Sequence, residues 1–187
     1  NSATSDAITT AADGTCTARI TSVGGGQLSN RNIIINGAML VAQRGTSSTS
    51  QDYQTVDRMK TVQSAIDEVG PQAQVDVASG TTPYTLGFRK AFKLTNGNQT
   101  SGAGSGDVIR IQQRLEAQDI ANSGWNYLSS SSYLTMSFWV KSSVAQNFYI
   151  NLLAYDGTVY NYTFETGSLS ADTWTKVIHS IPGNSNL

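Results

Sequence analysis

From Tyr133 to Lys141 the chain alternates without a break. Leu134, Met136, Phe138 and Val140 fall on one side, and Tyr133, Thr135, Ser137, Trp139 and Lys141 on the other. A period of two sets successive side chains on opposite faces of a pleated strand, so this run needs one face covered and leaves the other open. The same period returns at Leu86–Thr95, with Leu86, Phe88, Phe92 and Leu94 together, and Lys90 in their register marks a rim or a subunit contact. At Asp107–Leu115, Ile109, Ile111 and Leu115 lie opposite Arg110, Gln112 and Arg114. Phe148–Tyr155 and Val159–Glu165 flank Asp156-Gly157, a favoured turn pair, and read as a hairpin. Ala73–Val77 is a short strand, and Trp174–Ile181 is a last one, stopped by Pro182-Gly183. Roughly seven strands with almost no helix define an all-β protein, expected as a jelly-roll-type antiparallel β-sandwich.

The body begins at Asn32–Gly45. Ile33, Ile34 and Ile35 are a β-branched run too short for a helix and are expected to form a buried strand. Asn36-Gly37 tolerates positive φ and predicts a tight turn, with Ala38–Gln43 leaving it extended. Tyr53–Gln63 reads as extended with a turn, Val62–Val69 as strand or helical turn, and Glu116–Ala121 as one helical turn. Thr46–Gln51, Thr95–Gly106 and Ser123–Ser132 are Ser-, Gly- or Asn-rich loops. Asn1–Asn30 is poor in apolar residues and carries Gly24-Gly25-Gly26. Residues 1–29 are therefore expected to be an extended attachment arm, with Cys16–Val23 able to form an exposed strand, and residues 30–187 the β-sandwich. A jelly roll usually has eight strands, so a closing strand is expected either to be missing or to be supplied by sequence beyond Leu187.

Charged residues make up 13% of the 187, about half the usual share of roughly 25%, and the net charge is −1. Nucleic-acid binding, which needs clustered Lys and Arg, is disfavoured. No apolar run approaches the ~18 residues of a membrane span, so no membrane insertion is expected. The apolar share, 39%, is low, and Ser, Thr, Asn, Gln and Gly fill the deficit. Such a surface suits an extracellular or virion-borne protein. Cys16 is the sole cysteine, which excludes an internal disulfide.

Catalysis finds little support. His179, the sole histidine, lies in strand register with Val177 and Ile181, where a structural role is expected. Glu116, Asp119, Asp156, Glu165 and Asp172 are the carboxylates from which a glycosidase pair would have to come, but they sit at turns or strand ends, where such residues occur anyway. Gly102, Gly104 and Gly106 lack the Lys and helix of a phosphate loop. No His/Cys spacing suggests a metal, and no cofactor is expected. Asp57-Arg58 reads as an internal ion-pairing element or as an orienter of a polar ligand. The aromatic residues are the best binding candidates, because sugar rings stack C–H faces on Trp and Tyr. Trp125 and Tyr127 lie in a polar loop, while Trp139, Tyr155 and Tyr160 lie on or beside strands, where core or inter-subunit packing competes with glycan contact.

Asn32-Ile-Ile-Ile-Asn-Gly-Ala-Met39, Gln43-Arg44-Gly45-Thr46, Asp57-Arg58, Arg114-Leu-Glu-Ala-Gln118, Leu134–Ser142 and Trp174 to Gly183 occur in the order of a module that this chain resembles from about Asn30 onward. That module is the carbohydrate-binding-module-like β-sandwich of tail fiber and appendage proteins of tailed phages, the marine phage type. Met59 stands where that family often has Trp, and Ala38, Met39 and Leu40 stand where a calcium-binding acidic residue is common in the wider group, so no metal is carried over. The resemblance implies a virion structural protein, homotrimeric, anchored to other virion proteins through its N-terminal arm and attaching to a host-surface glycan. A head-attached fiber or decoration subunit without glycan binding and a glycan depolymerase component are the alternatives.

Overall fold

A computed structural model describes residues 32–155 and 158–184, together with the backbone of two short strands, β1 (Thr9–Thr10) and β2 (Cys16–Thr17). β1 and β2 pair antiparallel, Thr9 facing Thr17. The rest of the expected arm, including most of Cys16–Val23, lies outside the described residues, as do Asp156, Gly157 and the last three residues.

The regular structure of the described chain is almost wholly antiparallel strand, as the period-two runs require. They are β3 (Ser47–Ser48), β4 (Met59–Ser64), β5 (Gln72–Asp76), β6 (Lys90–Leu94), β7 (Val108–Gln113), β8 (Tyr133–Val140), β9 (Tyr149–Ala154), β10 (Tyr160–Glu165) and β11 (Thr175–Pro182). Pairing is nested twice. β4·β7 encloses the adjacent pair β5·β6, and β8·β11 encloses the hairpin β9·β10, while β3 adds to the outer edge of β5. No hydrogen-bonded pair among the described strands joins β3–β7 to β8–β11, so the first-to-last pairing of a jelly roll is not among them. Partners close in sequence cost less loop entropy to bring together.

The second nest follows the alternation closely. Leu134, Met136 and Phe138 of β8 face Ile181, His179 and Val177 of β11 across the ladder. Ile150 and Leu152 of β9 face Phe164 and Tyr162 of β10. These side chains join in one apolar cluster around Phe164, Val177 and Ile181, which packs the two pairs against each other.

The first nest is held differently. Its buried set mixes Ile33, Val56, Met59 and Val77 with Thr55, Thr61, Gln63 and Gln72. Gln72, fully buried, donates from Nε2 to Ser50 O, Asp52 O and Thr61 Oγ1, and its Oε1 accepts from Thr55 Oγ1. Gln63 clasps Gly70 at both ends, donating to its carbonyl and accepting its N–H at 2.9 and 2.8 Å. A side-chain amide here takes the place of a strand partner, and buried polar groups are stable only when satisfied in this way.

Three local expectations are corrected. Ile33–Ile35 is not a strand. The Ile34 N–H is taken by Asn32 Oδ1 and the Ile35 carbonyl by Gln113 Nε2, so a ladder partner has little left to bind. Ile33 is buried, but Ile35 is 44% exposed. Asn36 does take a left-handed turn, φ 58°, yet 38–43 forms no strand, because the Asn36 amide itself pairs with both the N–H and the carbonyl of Val41. The run from Leu86 is shortened at its start: a helix, α1 (Thr82–Thr85), with Pro83 in its first turn, exits through a turn at Leu86 and Gly87, and extended pairing starts only at Lys90. Leu86 is 61% exposed in that turn.

Candidate functional site

The polar segment between the nests carries the expected loop aromatics. Its first half is a second helix, α2 (Ala117–Ser123), longer than the single turn expected and stopped by Gly124 at φ 77°. The loop that follows is cross-tied. Ser123 Oγ accepts the Trp125 N–H, Ser132 Oγ accepts the Asn126 N–H, and Trp125 Nε1 donates to Ser132 O at 3.4 Å. Its far side rests on the end of β11, where Gly183 donates to Ser132 O and Asn184 to Tyr127 O. A side chain at Gly183 would collide with the carbonyl oxygens of Ser129, Asn126 and Tyr127, so only glycine admits this approach. Trp125 and Tyr127 meet edge to face with ring centroids 6.3 Å apart. Trp125 is half-buried, and Tyr127 is 41% exposed.

The other aromatic candidates do not join them. Trp139 faces Lys176 on the side of β8·β11 turned away from the apolar cluster. Tyr160 shares the register of Tyr162 and Phe164 at the turn end of the β9·β10 hairpin, and Tyr155, well exposed, follows the end of β9. By register they belong to different faces, so the five residues do not form one platform. Among the described residues, Trp125 and Tyr127 are the pair in ring contact.

The carboxylates are likewise dispersed in role. Glu116 takes Arg58 Nη2 at 2.9 Å on one oxygen and Gln118 Nε2 at 2.7 Å on the other. The Arg58 bond, then that of Gln118, holds its carboxyl below the usual range. Asp57 Oδ1 accepts the Gln43 N–H, so Asp57-Arg58 is engaged internally. Glu165 binds Asn147, and Asp172 occupies a left-handed turn at φ 54°. Asp156 lies outside the described residues. His179 stacks on Phe164, centroids 4.0 Å apart, and its Nε2 meets the Tyr162 hydroxyl at 3.1 Å. It is part of the packing, in the register read from Val177 and Ile181.

A cleft of about 410 Å³ is a feature that sequence reasoning missed. Asn32, Ile33 and Ile35 line it on one side, and Gln118, Asp119 and Asn122 of α2 on the other. The four-residue spacing of Gln118 and Asn122, which puts both on one helical face, was the available signal. The opposite wall could not be inferred, because it depends on how 32–35 docks.

Among the described residues, no group of three or more His, Cys, Asp and Glu could hold a metal, and no helix is long and apolar enough to cross a membrane. Comparison with protein-family models, with curated proteins and with solved structures finds no match for this chain. The class defined by its own coordinates is an antiparallel all-β protein with a half-buried Trp and an exposed Tyr in contact on a tied loop.

Proposed function

We propose that the chain is a structural subunit of a tailed-phage virion, a tail fiber or similar appendage, whose β-sandwich body attaches to a host-surface glycan. The ordered motifs from Asn32 to Gly183 suggest the class. The observation that carries the adhesive reading is the Trp125–Tyr127 pair, held outside the core by hydrogen bonds to Ser123 and Ser132. A loop aromatic fixed in this way loses little further entropy on contact and offers a rigid face to a sugar ring. Homotrimerisation, and anchoring to other virion proteins through residues 1–29, belong to the same reading. Each contact would be weak, and copy number on the particle supplies the avidity.

Binding of the purified chain to host cells and to a glycan array tests it. Trp125→Ala should remove most binding while the far-UV spectrum is unchanged. Undiminished binding in that variant would remove the loop from the function. Recovery of the protein only with the head fraction of purified particles would sink the tail assignment.

A further inference from the structure

We infer that the cleft between Asn32–Ile35 and α2 is a second binding site, for one neutral, hydroxyl-rich ring such as a sugar residue. It is independent of the adhesion reading and shares no residue with the Trp125–Tyr127 loop. The open valences decide the ligand. Among the described residues, the side chains of Asp119 and Asn122 make no hydrogen bond or ion pair. Asn32 spends Oδ1 on the Ile34 N–H and keeps Nδ2 free, and Gln118 spends Nε2 on Glu116 and keeps Oε1 free. The cleft therefore offers a carboxylate, an unused amide, a free amide N–H group and a free amide oxygen.

Both donors and acceptors are on offer, and a hydroxyl needs both. Adjacent hydroxyls on a ring can donate together to the two oxygens of Asp119 while accepting from Asn122 and Asn32. A lone carboxylate without further acidic partners is a poor cation trap, and a purely anionic ligand would be repelled by it. Ile35, 44% exposed, gives the same cleft an apolar side for ring C–H groups. Its size lies within the ~300–1,000 Å³ usual for small-molecule sites.

The walls are also held in advance of any ligand. Gln113 Nε2 fixes the Ile35 carbonyl at 2.8 Å, and Ile33 is anchored at 6% exposure. Across the cleft, Arg58 holds Glu116, which holds Gln118. Preorganised polar groups bind with less ordering cost.

The test is a titration of the full chain, followed by amide chemical shifts, with glucose, galactose, mannose and N-acetylglucosamine in turn, and with spermidine as the cationic comparison. At least one sugar should give saturable shifts centred on 32–35 and 117–122. Asp119→Ala should weaken that binding about 10-fold or more, as loss of a hydrogen-bonded charge does. Asn122→Ala should weaken it less, and Trp125→Ala should leave it unchanged. No saturable shift with any of the four sugars overturns the inference, as does binding that Asp119→Ala leaves intact or a cleft that takes spermidine alone. Loss of host-cell binding in Trp125→Ala with the cleft titration preserved would separate the two sites.

Discussion

The two nests solve the same problem with opposite chemistry. β8–β11 exclude water with Leu134, Met136, Phe138, Ile150, Leu152, Phe164, Val177 and Ile181. β3–β7 bury Gln72, Gln63, Thr61 and Thr55 among a few apolar side chains and hold them with named hydrogen bonds. The apolar nest draws on a non-directional force roughly proportional to area. The polar nest draws on directional bonds whose net contribution is small but whose loss is costly. The low apolar fraction of the chain is thus unevenly distributed, and the surplus amides have a structural use where hydrophobes are scarce.

This contrast can be broken from either side. Phe164→Ala should have the largest effect, about 3–5 kcal/mol, because it opens a cavity beneath His179 and between the two sheets. Urea unfolding measures it, and a loss under 1 kcal/mol would mean that the cluster is not a packed core. Gln72→Leu keeps the volume and removes the bonds. It should cost about 1–3 kcal/mol, chiefly because the Ser50 carbonyl loses its donor, despite the gain in hydrophobicity. A neutral or stabilising result would show that the polar nest is ordinary packing with incidental hydrogen bonds.

Gly183→Ala should cost about 1–3 kcal/mol through crowding against the 126–129 carbonyls. Its near-UV signature should report displacement of Trp125. An unchanged spectrum and stability would mean that the loop yields freely.

The smallest effect is set by pH. Asp67 accepts the Ser101 N–H and hydroxyl and, more weakly, the Thr100 hydroxyl, and so ties down the 95–107 loop. The Ser101 main-chain bond, then its hydroxyl, hold the Asp67 carboxyl below its ordinary value. The folded state therefore binds this proton less readily than the unfolded chain. The stabilisation is complete above the ordinary aspartate value near 3.8 and is lost as pH falls through the lower folded value. Amide protection at 98–102, taken relative to the intrinsic exchange rate at each pH, should fall there and not at neutral pH, while Asp67→Asn should be less protected at neutral pH and lose this pH dependence.

What could be read beforehand follows the same division. Tyr133–Val140, the β9–β10 hairpin and β11 were legible because burial of one face writes itself as alternation, and His179 was legible as a member of that face. The extent of Leu86–Leu94 was not, because the helix at Thr82–Thr85 exits through a turn that takes in Leu86 and Gly87 before the strand begins. Ile109 and Ile111 show the limit within a correct strand. They stand directly opposite buried Gln63 and Thr61, yet are 41% and 49% exposed, on the strand that has β4 as its one ladder partner among the described strands. For the candidate site, the loop location of Trp125 and Tyr127 was legible, but the scatter of Trp139, Tyr155 and Tyr160 over different faces was not.

The order of residues alone thus determined that this is a sheet protein, which faces of its later strands are apolar, and where several of its turns fall. Those depend on local period and local backbone preference. Tertiary structure decided that Ile33–Ile35 docks without pairing, that Gln63 and Gln72 serve as internal cross-ties, and that Asn32 faces Asp119 across a cleft. An amide side chain can satisfy a peptide group anywhere within reach, so its partner is fixed by the fold and leaves no periodic trace.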